Sequence, residues 1–77
     1  MKVLYFAELK EILNQSAEEF NIYKDITVED FEVFLFQQHS ELSSKTFQIA
    51  LNEEFAKKDD IVQPHDTIAL IPPVSGG

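Results

Sequence analysis

The spacing of hydrophobic and polar positions changes several times along this chain. Residues 2–7, "KVLYFA", are a run of β-formers, and residues 67–71, "TIALI", are a second. Both are apolar on the two alternating faces. Val3 and Tyr5 oppose Leu4 and Phe6, and Ile68 and Leu70 oppose Ala69 and Ile71. Two further segments alternate with one wet face. Over 18–22, Phe20 and Ile22 point one way and Glu19 and Asn21 the other; over 47–51, Phe47, Ile49 and Leu51 oppose Gln48 and Ala50. Between them the period lengthens to that of a helix. "TVEDFEVFLFQQH" sets Val28, Phe31, Phe34 and Leu35 on one stripe. Thr27 suits the N-cap and Asp30 stands at the capping-box position. Glu29 and Asp30 favour the positive end of the helix dipole and His39 the negative end. A shorter stretch, "ELKEILN", makes about two turns with Leu9, Ile12 and Leu13 on one side. "SELSSK" reads as a polar connection, and "NEEF" as a turn into a short edge strand carrying Phe55. "AKKDDIV" reads as a loop anchored by Ile61 or Val62, and "QPHD" as a turn with Pro64 at its second position. Pro72 and Pro73 end the last strand, since neither can donate to a ladder.

The strand faces set the order of the sheet. Strands apolar on both faces belong at its centre, often as a parallel pair, so the first and last strands should lie side by side with the half-wet strands flanking them. The expected architecture is an α+β roll of the β-grasp (ubiquitin-like) type. It has a mixed sheet with central parallel first and last strands and one main helix on one face. The domain would span 1–71, followed by an extended C-terminal tail, 72–77. One helix covers one face only, and a chain this short has no material for a second covering layer. Leu4, Phe6, Ala69, Ile71 and Phe55 are then left as an apolar patch, unless the first helix or the 56–62 loop folds over them. A contiguous patch on so small a protein reads as a partner site.

Composition narrows the function classes. With 44% hydrophobic residues and seven Phe among 77, one packed core is possible and intrinsic disorder is not expected. Fourteen Asp and Glu stand against six Lys, and there is no arginine, for a net charge of -8. Phosphate backbones would be repelled, so no nucleic-acid partner is expected; a basic protein would be attracted, and the charge also keeps a Phe-rich chain soluble. The absence of cysteine excludes disulfides, thiolate metal sites and cysteine nucleophiles. The apolar run at the N-terminus is interrupted by Glu8, Lys10 and Glu11, so it lacks the core of a signal peptide. No stretch is long enough to span a membrane. A cytoplasmic protein with no membrane contact is expected. His39 and His65 stand alone, Asp59-Asp60 reads as a solvated loop, and no metal site is expected. Ser43-Ser44 and Ser75 have no base nearby in sequence, so no catalytic side chain is apparent.

The chemistry is concentrated at the end of the chain, "PPVSGG". The only two glycines are Gly76 and Gly77; all 75 positions before them lack glycine. Without Cβ atoms, a Gly-Gly end can enter a narrow channel and reach a buried catalytic centre. Pro72 and Pro73 stiffen its base and project it as polyproline II, and six extended residues reach roughly 20 Å. The only reactive group there is the Gly77 carboxylate. It becomes an acyl donor only after activation, for instance as an acyl-adenylate, and sulfide transfer would then make it a thiocarboxylate. A cysteine-free protein has no side chain to carry sulfur, but it could carry it this way.

"PPVSGG" at the end, "VLYFAELKE" at the start and "ALNEEF" in the middle closely resemble the MoaD-type sulfur carriers, the small subunits of molybdopterin synthase. The resemblance covers the whole chain. Gly-Gly alone is shared with the thiamine-pathway sulfur carrier and with ubiquitin-like modifiers; Pro-Pro-Val-Ser before it points to the molybdopterin branch. The resemblance implies that an E1-like adenylating enzyme consumes ATP to form a glycyl-adenylate on Gly77, which is then converted to 1-thioglycine. Pro72, Pro73, Val74, Ser75 and Gly76 would insert into the synthase large subunit. There the sulfur would pass to cyclic pyranopterin monophosphate (precursor Z) in molybdenum cofactor biosynthesis. The chain itself would be non-catalytic and bind no cofactor, with the catalytic side chains on the large subunit of a heterotetramer. Phe6, Phe55 and Ile71 fall where the family presents its apolar partner surface. Two other roles share these features: the thiamine-pathway carrier, and a ubiquitin-like protein modifier or interaction module. One departure concerns the turn before the last strand. The family often has Gly-Asp there, against His65-Asp66 here, and a positive φ would strain His65.

Overall fold

The computed structural model describes residues 1–73. Lys2–Tyr5 form β1, Ala7–Leu13 helix α1, Ala17–Glu19 β2, Ile26–Thr27 β3 and Val28–Gln38 helix α2. A 3-10 turn over Ser40–Ser44 leads to β4 (Gln48–Leu51), β5 (Glu54–Phe55), β6 (Ile61–Val62) and β7 (Thr67–Ile71). The main sheet has the order β2-β1-β7-β4-β5, and β3 pairs with β6 in a separate two-stranded ladder. β1 and β7 are parallel and central, with Val3 opposite Ile68 and Tyr5 opposite Leu70. The half-wet strands β2 and β4 flank them in antiparallel pairs. This is the β-grasp roll expected from the strand faces.

Alternation along the strands and the helical period of α2 meet in one core. Val3, Tyr5, Ile68 and Leu70 point to the helix side and are fully or almost fully buried against Val28, Phe31 and Leu35 of α2. Leu9, on the inner side of α1, and Ile49 of β4 complete that layer. α2 begins where its cap requires. Thr27 is extended, at φ -72 and ψ 156, and its Oγ1 accepts the Asp30 N–H at 3.1 Å. Thr27 is also the last residue of β3, so the strand stops as the helix starts.

The differences from the sequence pattern have local causes. The second strand is Ala17–Glu19 rather than 18–22. Its ladder ends at Phe20, whose N–H bonds the Met1 carbonyl at 2.9 Å, and Phe20 then turns inward as a buried residue. The connection after α2 is not simply polar, because Leu42 is completely buried from its 3-10 turn. The 56–62 segment is not only a loop: Ile61 and Val62 pair with Thr27 and Ile26, and Val62 is the anchor. His65 is not among the residues with positive φ. The Gln63–Asp66 turn closes with an Asp66 N–H to Gln63 carbonyl bond at 3.0 Å, and no left-handed residue is needed there. Among the described residues the left-handed positions are Ala7, Asn14, Asn52 and Glu53. Ala7, at φ 51, bends the chain out of β1 into α1.

Because Leu42 fills the core from a short irregular turn, it should matter as much as a helix residue. Leu42→Ala should destabilise the fold by about 2–5 kcal/mol, like Leu35→Ala, whereas Val33→Ala on the outer face of α2 should stay within about 0.5 kcal/mol. Urea unfolding of the three variants checks this.

Candidate protein-docking site

The residues that β1 and β7 turn away from α2 have no covering layer. In register, Leu4 of β1 lies beside Ala69 of β7, Ala69 beside Ala50 of β4, and Ala50 beside Phe55 of β5. One rung across four strands therefore runs large, small, small, large. The two alanines make a floor and Leu4 and Phe55 make walls. Phe6 and Ile71 extend those walls around a concavity of about 580 Å³. Neither α1 nor the 56–62 segment lies across it. Phe55 is 70% exposed and Phe6 45%, a large apolar area for so small a protein. The expected patch residues Leu4, Phe6, Phe55, Ala69 and Ile71 thus meet at one place. Ala50, read from its alternation with Gln48 as part of a wet face, is instead buried in the floor. Its small side chain sits between Ala69 and the larger Phe55, which periodicity alone does not show.

The rim of the concavity is built by a hairpin. Leu51 pairs with Glu54, leaving Asn52 and Glu53 as a two-residue loop with φ values of 50 and 73. Both central residues are left-handed, as in the type I′ turn that matches strand twist. Asn is ordinary there, but Glu53 stands where glycine is preferred, and a left-handed L-residue costs roughly 1–2 kcal/mol. The loop is held by the neighbouring turn. The Asn52 N–H donates to the Thr67 carbonyl at 2.9 Å, and the Thr67 N–H donates to Asn52 Oδ1 at 3.0 Å. Asn52 Nδ2 donates to Asp66 Oδ1 at 3.0 Å, and the Gln63 N–H donates to Asp66 Oδ2 at 2.8 Å. Asp66 is the one buried charged side chain among the described residues. The Asn52 amide and the Gln63 N–H stabilise its carboxylate against the opposing effect of burial, with a smaller contribution from His65, and hold its pKa below the ordinary 3.8. Asn52, Glu53 and Thr67 line the concavity and were not recognised from the sequence. The available signal was an Asn at the junction of two strand-like segments.

On the helix side a second polar group pins elements together. Glu18 Oε1 accepts from Tyr5 Oη at 2.7 Å and from Gln15 Nε2 at 3.3 Å, and lies 2.7 Å from His39 Nε2. Burial, followed by the bond to Glu18, pushes the Tyr5 phenol well above its usual range. This network ties β1, β2 and the end of α2, and the phenol stays neutral. Among the described residues there is no group of three or more His, Asp or Glu able to hold a metal, and no helix long and apolar enough to cross a membrane.

Pro72 is half-buried and Pro73 exposed where the chain leaves β7. Val74, Ser75, Gly76 and Gly77 lie outside the described residues.

A mixed sheet gripping one helix, with an apolar concavity on its open face beside the C-terminal strand, defines a ubiquitin-like β-grasp protein. Within that class the chain belongs to the ThiS family, whose model matches residues 3–77. It is 35% identical over 81 residues to the molybdopterin synthase sulfur carrier subunit of Chlamydomonas reinhardtii, covering 100% of this chain and 98% of the other. It is 33% identical over 82 residues to the subunit of the same name from Homo sapiens, covering 100% and 93%. Among solved structures it resembles the Haloferax volcanii small archaeal modifier protein 1, with TM-score 0.83, 26% identity and coverage of 96% and 97%.

The Asp66 clamp has a pH signature. The folded state favours the ionised carboxylate, so its stabilisation is complete above the ordinary pKa of 3.8 and is lost as pH falls through the lower folded value. The free energy of unfolding should therefore decline below about pH 4, and Asp66→Asn should lack this part of the decline while being less stable at neutral pH. Urea titrations across that range compare the two.

Proposed function

We propose that this chain is the sulfur-carrier subunit of a molybdopterin synthase, acting through the carboxyl group of Gly77 in molybdenum cofactor biosynthesis. The observation that carries the reading is the continuity of the open face with the tail. Ile71 lines the concavity and is the last residue of β7, so a protein seated on the face also meets the residues that follow. Phe6, Phe55 and Ile71 dock the synthase large subunit, and Pro72, Pro73, Val74, Ser75 and Gly76 enter it. The same face serves an E1-like adenylating enzyme at another stage.

The chemistry follows from a carboxylate being a poor acyl donor. The Gly77 carboxylate attacks the α-phosphorus of ATP and releases pyrophosphate, forming a glycyl-adenylate. A sulfide-equivalent donor then adds to the acyl carbon and expels AMP, leaving a C-terminal thiocarboxylate. Its sulfur forms a bond to a side-chain carbon of cyclic pyranopterin monophosphate as the carbon–oxygen bond at that carbon breaks and the oxygen leaves; water then cleaves the acyl–sulfur bond and restores the Gly77 carboxylate. No side chain of this chain takes part in bond making. Acid–base groups come from the large subunit, and ATP is consumed by the activating enzyme rather than held here. The domain is 1–71 and the working tail 72–77.

A second reading has one specific observation behind it, the likeness to a protein named as a modifier. There the activated Gly77 would pass to a lysine amine, forming an isopeptide bond and releasing the activating group.

Intact-mass measurement separates the two. After incubation with the activating enzyme, ATP and a sulfur donor, the full chain should gain the mass of one sulfur in place of one oxygen. A chain lacking Gly77 should not, yet should keep its unfolding midpoint, because Leu70 is the last buried core residue among those described. Conjugates of higher mass without that gain would favour the modifier. Molybdopterin formation supported by the truncated chain would overturn the sulfur-carrier reading.

A further inference from the structure

The open face is apolar, and apolar surface alone neither selects a partner nor fixes the register in which it seats. We propose that Glu53 is the specificity-determining charge of this face, pairing with a basic side chain on the synthase large subunit as the tail is inserted; the inference rests on the docking reading given above.

Three observations converge on this residue. Of the residues that line the concavity, Glu53 alone carries a charge. It sits in the left-handed region at φ 73, in a turn position where glycine is the unstrained choice. Strain of this kind is retained where a side chain is needed for something other than folding. Within the described residues the Glu53 carboxylate, like that of Glu54 and most other acidic side chains here, forms no ion pair. Its charge is left for a partner.

The hairpin makes the charge directional. The clamp from Thr67 and Asp66 fixes the loop at Asn52, and the pairing of Leu51 with Glu54 closes it, which holds the Glu53 backbone at the rim. The chain as a whole carries a net charge of -8 and attracts basic surfaces from a distance. Glu53 is where that long-range attraction becomes a contact. A cation opposite it would complete the interface, and a carboxylate opposite it would be rejected.

The test measures association of the full chain with its large subunit as a function of salt, for the parent, Glu53→Gln, Glu53→Gly and Phe55→Asp. Glu53→Gln and Glu53→Gly should each slow association and weaken binding about tenfold at low salt, and the difference should shrink as salt rises. The free Gln variant should unfold as the parent does, and the free Gly variant at the same midpoint or higher. Parent-like rates and salt dependence in Glu53→Gln would overturn the proposal. Weakening in Glu53→Gly alone would also overturn it, since that outcome assigns the effect to hairpin stiffness. Phe55→Asp tests the face itself and should lose binding by more than about a hundredfold, as a charge buried in an apolar interface does. If it binds normally, the docking reading fails, whatever Glu53 shows.

Discussion

The parallel pairing of β1 with β7 is the constraint on which the rest of this structure depends. Both strands are apolar on both faces, so neither can stand at an edge, and pairing them places the two ends of the domain side by side at the centre of the sheet. The chain then has one eleven-residue helix to cover the sheet, and α2 reaches one face. The exposure of Phe6 and Phe55 is a consequence of that shortage. The face that the helix does not cover is the face that a partner can cover. The tail leaves from β7, the middle strand of the five, which is paired on both sides.

The two polar clusters do different work around this frame. On the helix side, Tyr5, Gln15, Glu18 and His39 join strands to the end of α2 through one shared carboxylate oxygen. On the open side, Asn52 and Asp66 join the β4–β5 hairpin to the turn that feeds β7. The first holds the helix on its sheet. The second holds the rim of the concavity, so that Phe55, on a two-residue edge strand, is not left to a freely hinged loop. A docking face of this size gains from such stiffness, because fewer rotations are lost when a partner binds.

Most of the fold was legible because it rests on period and chemistry at single positions. Thr27 as N-cap, the stripe of α2, the central strands and the edge position of Phe55 all follow from residue type and spacing. What escaped depended on contacts distant in the chain. Leu42 lies in a polar-looking segment, and only the arrival of α2 and the sheet around it makes it core. Val62 becomes a strand because Ile26 lies opposite. His65 needed no left-handed turn because Pro64 and Asp66 close an ordinary one, and the left-handed strain falls instead at Ala7, Asn14, Asn52 and Glu53.

The candidate site divides in the same way. Residue type alone determined that two faces would be apolar, that one would lack a covering helix, and that glycine would occur only at Gly76 and Gly77, because these are properties of composition and of a two-residue repeat. The tertiary structure decided that Ala50 and Ala69 would lie side by side between Leu4 and Phe55. That order depends on the register of β4 against β7, which the side chains of neither strand specify alone. It likewise decided that Asn52 would meet Asp66 and Thr67, and so that a glutamate would stand at the rim. Residues far apart in the chain become neighbours only when the sheet closes, and it is these neighbours that shape the face.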